Sequence, residues 1–192
     1  MKRLLANTLK ILLFIIGFAC AVWYFMPWGE AGKFIMSAAH SQLERMGMRV
    51  SYSDISGEAD GFTVHNLALN GMANFKFSSI TLRPRPAVSL LSLALVCDIS
   101  FKGGSAQLGQ VINLGDGGVT VTAWRSEIML ENLHTNGEFG LNGWMTIDRQ
   151  AMRIARADAR LSVPDTFAQN MGLLRNFLPV VQEGDRWYLR RN

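Results

Sequence analysis

The sequence predicts a mainly β protein with two peripheral helices, an α+β chain in which an N-terminal transmembrane helix leads into a meandering antiparallel sheet. Three observations carry this. Residues 11–28 run for 18 positions without a charge. From residue 48 onward, short alternating runs of apolar residues are broken by Gly, Asn and Asp at intervals of about ten residues, the pattern of antiparallel hairpins. Two segments, 30–46 and 165–178, instead carry apolar residues at helical spacing.

The uncharged run comes first. At about 1.5 Å per residue a helix of that length spans roughly 27 Å, close to the hydrocarbon thickness of a bilayer. Lys2, Arg3 and Lys10 precede it and hold that end in the cytoplasm, so the remaining chain is expected outside it. The run ends in Trp23, Tyr24, Phe25, Met26, Pro27 and Trp28. Those residues are too bulky for a signal-peptidase site, and aromatic rings suit the outer interface of a membrane. An uncleaved anchor is therefore expected, with Trp23, Tyr24 and Trp28 at the interface. The alternative is a lipoprotein signal with Cys20 lipidated, but Gly17 stands where a large aliphatic residue belongs, and the apolar run continues past Cys20. This divides the chain into a cytoplasmic stub with anchor, 1–28, and an exported β-rich domain, 29–192.

Composition narrows the function. The net charge is +4, yet setting aside Lys2, Arg3 and Lys10 leaves 16 Lys+Arg against 15 Asp+Glu. No basic run remains that would make a nucleic-acid footprint. Of the two cysteines, Cys20 lies in the span and Cys97 stands alone outside it, so the exported domain has no internal disulfide to draw on.

Along the domain, residues 30–46 read as a helix, with Phe34, Ile35, Ala38, Ala39, Leu43 and Met46 on one stripe and Gly47 as the stop. Pro27 and Gly29 are the expected joint with the anchor. Met48, Val50 and Tyr52 begin the β pattern, 57–61 is a turn, and 62–69 a strand closed by the hairpin pair Asn70-Gly71. Residues 75–82 follow, with an apolar phase slip at Ser78-Ser79 that a bulge would absorb. After Pro84 and Pro86, the dense segment Leu90, Leu91, Leu93, Leu95, Val96 reads as a helical turn and a buried strand that runs through Ile99 and Phe101 to Gly103-Gly104. Val119, Val121 and Ala123 form a later strand, as do Phe139, Leu141, Met145 and Ile147. Residues 149–163 are consistent with a helix by their arginine spacing and with a strand by the strict alternation of Ala155, Ala157, Ala159, Leu161 and Val163. The sustained period of two favours the strand. Pro164 and Asp165 open the second helix, and 184–191 closes the chain as a strand with Trp187 and Leu189 on one face.

Sites for chemistry are sparse. No nucleophile or metal-ligand motif occurs, and His40, His65 and His134 are scattered. Asp148 and Asp158 could pair across a sheet as acid and base, but solvated strand or turn carboxylates are the commoner case. Residues 115–118, Gly-Asp-Gly-Gly, read as a hairpin turn because a phosphate cradle would need a helix after it. His65 is expected on the outer face or hydrogen-bonded within the sheet, and Cys97 as a small core hydrophobe. Of the arginines at 149, 153, 156 and 160, a solvated outer strand face explains two; the alternative is a stripe for anionic lipid headgroups or an acidic partner. The larger surplus is apolar: Phe62, Val64, Leu67, Leu69, Phe75, Phe77, Ile99, Phe101, Phe139 and Leu141 line an apolar face that is either a core or a groove.

In order along the chain stand Met26-Pro27-Trp28 leading into a helix, Gly61 followed by Phe-x-Val-x-Asn-Leu-x-Leu, Ile80-x-Leu82-x-Pro84, a Leu-Leu segment, and Phe101-x-Gly103-Gly104. In this it resembles the type II secretion system protein N family, and more broadly the AsmA-like proteins. The resemblance implies a single-pass protein of the bacterial inner membrane, with its N-terminus cytoplasmic and its bulk periplasmic. It further implies a curled antiparallel sheet with an apolar inner face and no cofactor. Non-enzymatic contact with protein partners of a secretion apparatus is the expected role. The alternative is an AsmA-like lipid-binding or lipid-transfer protein, with phospholipid acyl chains shielded in the groove instead of the chain's own helices closing it.

Overall fold

The computed structural model describes residues 13–15, 17–18, 20–45, 47–71, 74–108, 110–151, 153–164, 179–183 and 186–191. Helices α1 (Leu13–Tyr24) and α2 (Trp28–Arg45) come first, bent by 75° across residues 25–27. Proline at 27 lacks the N–H that a continuous helix would need there, so the break falls where the sequence places it. Among the described residues no single helix is long and apolar enough to cross a membrane, whereas α1 and α2 meet that criterion together. Ile11, Lys2, Arg3 and Lys10 lie outside the described residues, as does the expected helix 165–178.

The rest of the described residues form one open antiparallel sheet of 11 strands. Its strands are β1 (Arg49–Ser51), β2 (Asp54–Gly57), β3 (Phe62–Asn70), β4 (Asn74–Pro84), β5 (Leu95–Leu108), β6 (Gln110–Ala123), β7 (Glu127–Thr135), β8 (Gly140–Asp148), β9 (Arg153–Ser162), β10 (Val180–Glu183) and β11 (Arg186–Arg191). They lie in the order β1-β3-β4-β5-β6-β7-β8-β9-β11-β10, with β2 also on β3. Helix α3 (Pro86–Ser92) interrupts the path between β4 and β5. From β3 to β9 each strand pairs with the next in sequence. The alternation in 153–162 is thus a strand, with Ala157, Ala159 and Leu161 buried and Arg156, Asp158 and Arg160 exposed.

Two buried clusters hold the sheet at its ends. Near the N-terminus, α2 lies on β1–β4: Trp28, Val50, Ile55, Phe62, Val64 and Leu67 are buried, with Met36, Leu43, Leu69, Phe77, Ile80 and Leu82 packed against them. Phe62 is 1 % exposed. Contact is close because α2 presents glycine. A methyl on Gly32 would stand 2.7 Å from the Phe62 ring, and one on Gly57 of β2 would stand 2.7 Å from the Gly29 nitrogen. Gly29 therefore lies inside α2 as a seat against the sheet and is not part of the joint. Trp28, expected at a membrane interface, is 5 % exposed and stacks edge-on to Trp23 at 4.6 Å.

The second cluster joins Ile112 of β6 with Ala157, Ala159 and Leu161 of β9, Val180 of β10 and Leu189 of β11. The Phe139 N–H bonds the Asn113 carbonyl at 3.2 Å, which brings the β7–β8 connection up to the Ile112 end of β6.

Several sequence readings need correction. β5 does not stop at Gly103-Gly104 but runs through them to Leu108, and Gly-Asp-Gly-Gly at 115–118 is mid-strand in β6 instead of a hairpin turn. The slip at Ser78-Ser79 leaves the register intact, because His65 pairs Ser79 and Leu67 pairs Phe77. Asn66, at φ 51°, takes the twist on β3 while Gly103, at φ 59°, takes it on β5. Strand β7 was not anticipated, its Glu131-Asn132 interrupting the alternation. The closing strand is described from Arg186, residues 184 and 185 lying outside the described residues, and β10 stands beyond it at the edge.

Candidate functional site

The inner face is the candidate site, and strand pairing builds it. Residues paired across antiparallel strands share a face, so Leu82, Ile99 and Val119 line one row, and Cys97, Val121, Leu130, Met145 and Ala157 another. The apolar residues singled out from sequence fall into three groups along it. Phe62, Val64 and Leu67 are core beneath α2, with Leu69 and Phe77 packed onto them. Phe139 and Leu141 pack against the second cluster. Phe75, Ile99 and Phe101 lie between, half-buried.

A crease crosses the middle of this face. Asn66 of β3 and Gly103 of β5 have positive φ, as does Gly115 of β6 at 65°, and the strand registers set them side by side through Ser78. A left-handed residue costs an L side chain roughly 1–2 kcal/mol, hence glycine at two of them. Side chains fix the crease: Asp116 Oδ1 accepts the Gly103 N–H at 2.9 Å, and Asn113 Oδ1 accepts that of Gly115 at 2.8 Å. The Phe101 ring lies on Gly104 and Gly117, where added methyls would stand 3.0 and 2.5 Å from it. It meets Phe77 edge-on at 5.3 Å. The Phe-x-Gly-Gly motif is thus an aromatic ring laid over bare backbone.

The ionisable candidates have structural partners. His65 Nε2 is 2.9 Å from Ser56 Oγ across β2 and β3. Asp148 accepts the N–H groups of Ala151 and Gln150, which hold its carboxyl below the usual range, and so closes the β8–β9 turn. Asp158 faces Trp144 across the sheet, whereas Asp148 faces Arg153; the two are not brought together. Arg190 of β11 lies 3.7 Å from Asp158. Burial pushes the Cys97 thiol up. Among the described residues no group of His, Cys, Asp and Glu is placed to hold a metal.

The outer face carries a polar seam near α3. Glu58 accepts Thr63 Oγ1 at 2.6 Å and Arg83 Nη2 at 2.9 Å, which lowers its pKa in that order of effect. Arg83 also lies 3.4 Å from Asp60, and Arg85 pairs with Asp98, which accepts Thr120 Oγ1 at 2.8 Å.

Sequence reasoning missed one feature. Leu90, Leu91, Leu93 and Leu95 are not buried but 75–90 % exposed. Leu93 takes the left-handed conformation that ends α3. Pro86 stands in the first turn of α3, where its missing N–H costs nothing, and marks only the start of the helix.

No curated protein and no solved structure matches the chain. A wider AsmA-like likeness is not supported by the family match. The model of the family described as type II secretion system protein GspN-like, Synergistales, matches residues 5–191, nearly the whole chain, which therefore belongs to that family.

Proposed function

We propose that this protein is a non-enzymatic component of a type II secretion system, anchored in the inner membrane with its β domain in the periplasm, and that it acts by binding other proteins of the apparatus. The family match over 5–191 carries the secretion role. The uncharged run at 11–28, behind three basic residues, supports the anchor and its orientation. A non-enzymatic role is supported by the occupation of His65, Asp148 and Asp158 in turns and cross-strand contacts. Strand β10 supports a binding mode. It pairs with β11 and stands at the end of the strand order, and such an edge accepts a partner by strand addition.

The test is secretion itself. Deleting the protein from its host should reduce export of secreted substrates, with restoration by the full chain. A photo-crosslinking residue at Val181 of β10 should yield adducts with secretion proteins. Export that is indifferent to the deletion would overturn the secretion role.

One observation favours a second reading, phospholipid binding on the inner face. Between the covered ends, Ile99, Phe101, Val119 and Leu130 remain half-buried. Native mass spectrometry with lipid extraction separates the two: phospholipid at fixed stoichiometry supports the groove as a lipid site, and a lipid-free protein leaves partner binding.

A further inference from the structure

The exposed leucines of α3 sit at one particular end of the sheet. That end is marked by the β2–β3 turn, α3, the β6–β7 turn and the β8–β9 turn. Four contacts tie neighbouring pieces of this end: Glu58 and Asp60 each pair with Arg83 just before α3, the Arg85 N–H bonds the Val96 carbonyl, and the Arg149 N–H bonds the Ser126 carbonyl at 3.0 Å. Helix α2 begins at the same end, because Gly29 lies against Gly57. The break between α1 and α2 is two residues earlier. The chain therefore enters the domain from α1 beside the surface on which α3 displays its leucines.

The chemistry of that surface is two-part. Leu90, Leu93, Ala94, Leu95 and Trp124 line an open depression of about 550 Å³, and Arg125 and Arg149 are part of the same lining. Both arginines are exposed, and neither guanidinium has a carboxylate partner among the described residues. Four leucines left in water are unfavourable relative to burial, so something of apolar character with an anionic boundary is the matching occupant. A bilayer surface has both: acyl chains for the leucines and phosphates for the guanidinium groups.

We propose that the α3 loop is a second membrane contact, in which Leu90, Leu91, Leu93 and Leu95 insert into the leaflet from which the anchor emerges while Arg125 and Arg149 bind lipid phosphates. This rests on the anchored reading of residues 11–28. With the anchor it fixes the domain at two points and stands the strands away from the membrane. A protein partner for the leucines is the competing occupant, and the experiment distinguishes them.

The test uses the full chain in phosphatidylcholine vesicles with and without phosphatidylglycerol. On a Cys20→Ser, Cys97→Ala background, an environment-sensitive fluorophore is attached at Phe18→Cys in α1 or Leu91→Cys in α3. Nitroxide-labelled phosphatidylcholine is the quencher. The expected result is quenching at both sites, with Leu91 quenched more by nitroxide near the headgroup and Phe18 more by nitroxide near the chain end. Phosphatidylglycerol should deepen quenching at Leu91, and Arg125→Gln with Arg149→Gln should remove that gain. Quenching at Phe18 without quenching at Leu91 overturns the α3 contact and leaves the anchor standing. No quenching at Phe18 overturns the anchor itself. A blue-shifted but unquenched fluorophore at Leu91 marks burial against protein and overturns the lipid assignment. Should the cysteine-free background fail to fold, a photo-crosslinking residue at Leu91 in native membranes replaces it. Lipid adducts support the contact, and protein adducts alone overturn it.

Discussion

Gly32 of α2 rests on the ring of Phe62, so close that a methyl in place of its hydrogen would stand 2.7 Å from Cδ2. The ring cannot swing aside, being 1 % exposed and enclosed by the N-terminal cluster.

Gly32→Ala is therefore expected to destabilise the protein, although alanine is the better helix former by roughly 1 kcal/mol. Overpacking of a tight core costs about 1–3 kcal/mol, and here it outweighs propensity. Thermal unfolding of the two proteins checks the sign.

Phe62→Ala should be the more severe change, at about 3–5 kcal/mol for a large side chain removed from a closed core. Phe75→Ala, on the half-buried stretch of the inner face, should cost less. Denaturant midpoints measured on both variants rank them; equal losses would show that the inner face is as closed as the cluster beneath α2.

At the crease, Gly117→Ala should be worse than Gly103→Ala. A methyl at 117 would meet the His134 carbonyl oxygen at 2.3 Å and the Phe101 ring at 2.5 Å, both fixed, whereas at 103 it meets the Ser78 hydroxyl and a φ of 59°. A serine hydroxyl can rotate away, leaving the roughly 1–2 kcal/mol of left-handed strain. Unfolding of both variants, compared with Gly47→Ala at a helix end where a methyl meets nothing within 4 Å, isolates the strain from the clash.

Glu58 gives the expected pH dependence. Its folded pKa lies below the usual value, mainly through Thr63 and then Arg83. A depressed carboxylate contributes stability that is present above its unfolded pKa, about 4.3, and lost as pH falls through the folded value. At a side chain 35 % exposed, solvent screening leaves that contribution at about 1 kcal/mol. Glu58→Gln should thus lower stability at neutral pH and lie closer to the parent protein in acid, as read by unfolding across that range.

Asp148→Ala, Asp158→Ala and His65→Ala should each leave secretion in the host intact at normal protein levels. Complete loss from any one of them would count against a non-enzymatic role.

Much of the fold was legible because single-face sheets write their burial directly into sequence. Phe62, Val64, Ala157 and Ala159 alternate with polar residues, and the alternation in 153–162 outweighed an arginine spacing that also suited a helix. What could not be read was glycine inside strands. Gly103-Gly104 and 115–118 look like turns one strand at a time, and only their alignment across β5 and β6 reveals a crease. The candidate site was legible in part: the apolar residues were identified, but sequence cannot say which of them α2 covers. Nor does a run of leucines tell burial from display. The left-handed Leu93 that ends α3 is likewise a conformation that nothing in its residue type announces.

The strand order bears on how the domain is made. Each strand from β3 to β9 finds its partner in the hairpin that precedes it, so a chain delivered N-terminus first can complete its pairings as it arrives, with α2 already seated on β1–β4. The exception is the last step. β10 leaves the ribosome before β11 yet pairs with it across β11's far edge, so the final segment, Arg186–Arg191, must slot between β9 and β10. A chain cut short before Arg186 would keep its first core and lose the strand that joins Val180 to Ala159, leaving the second core unsealed.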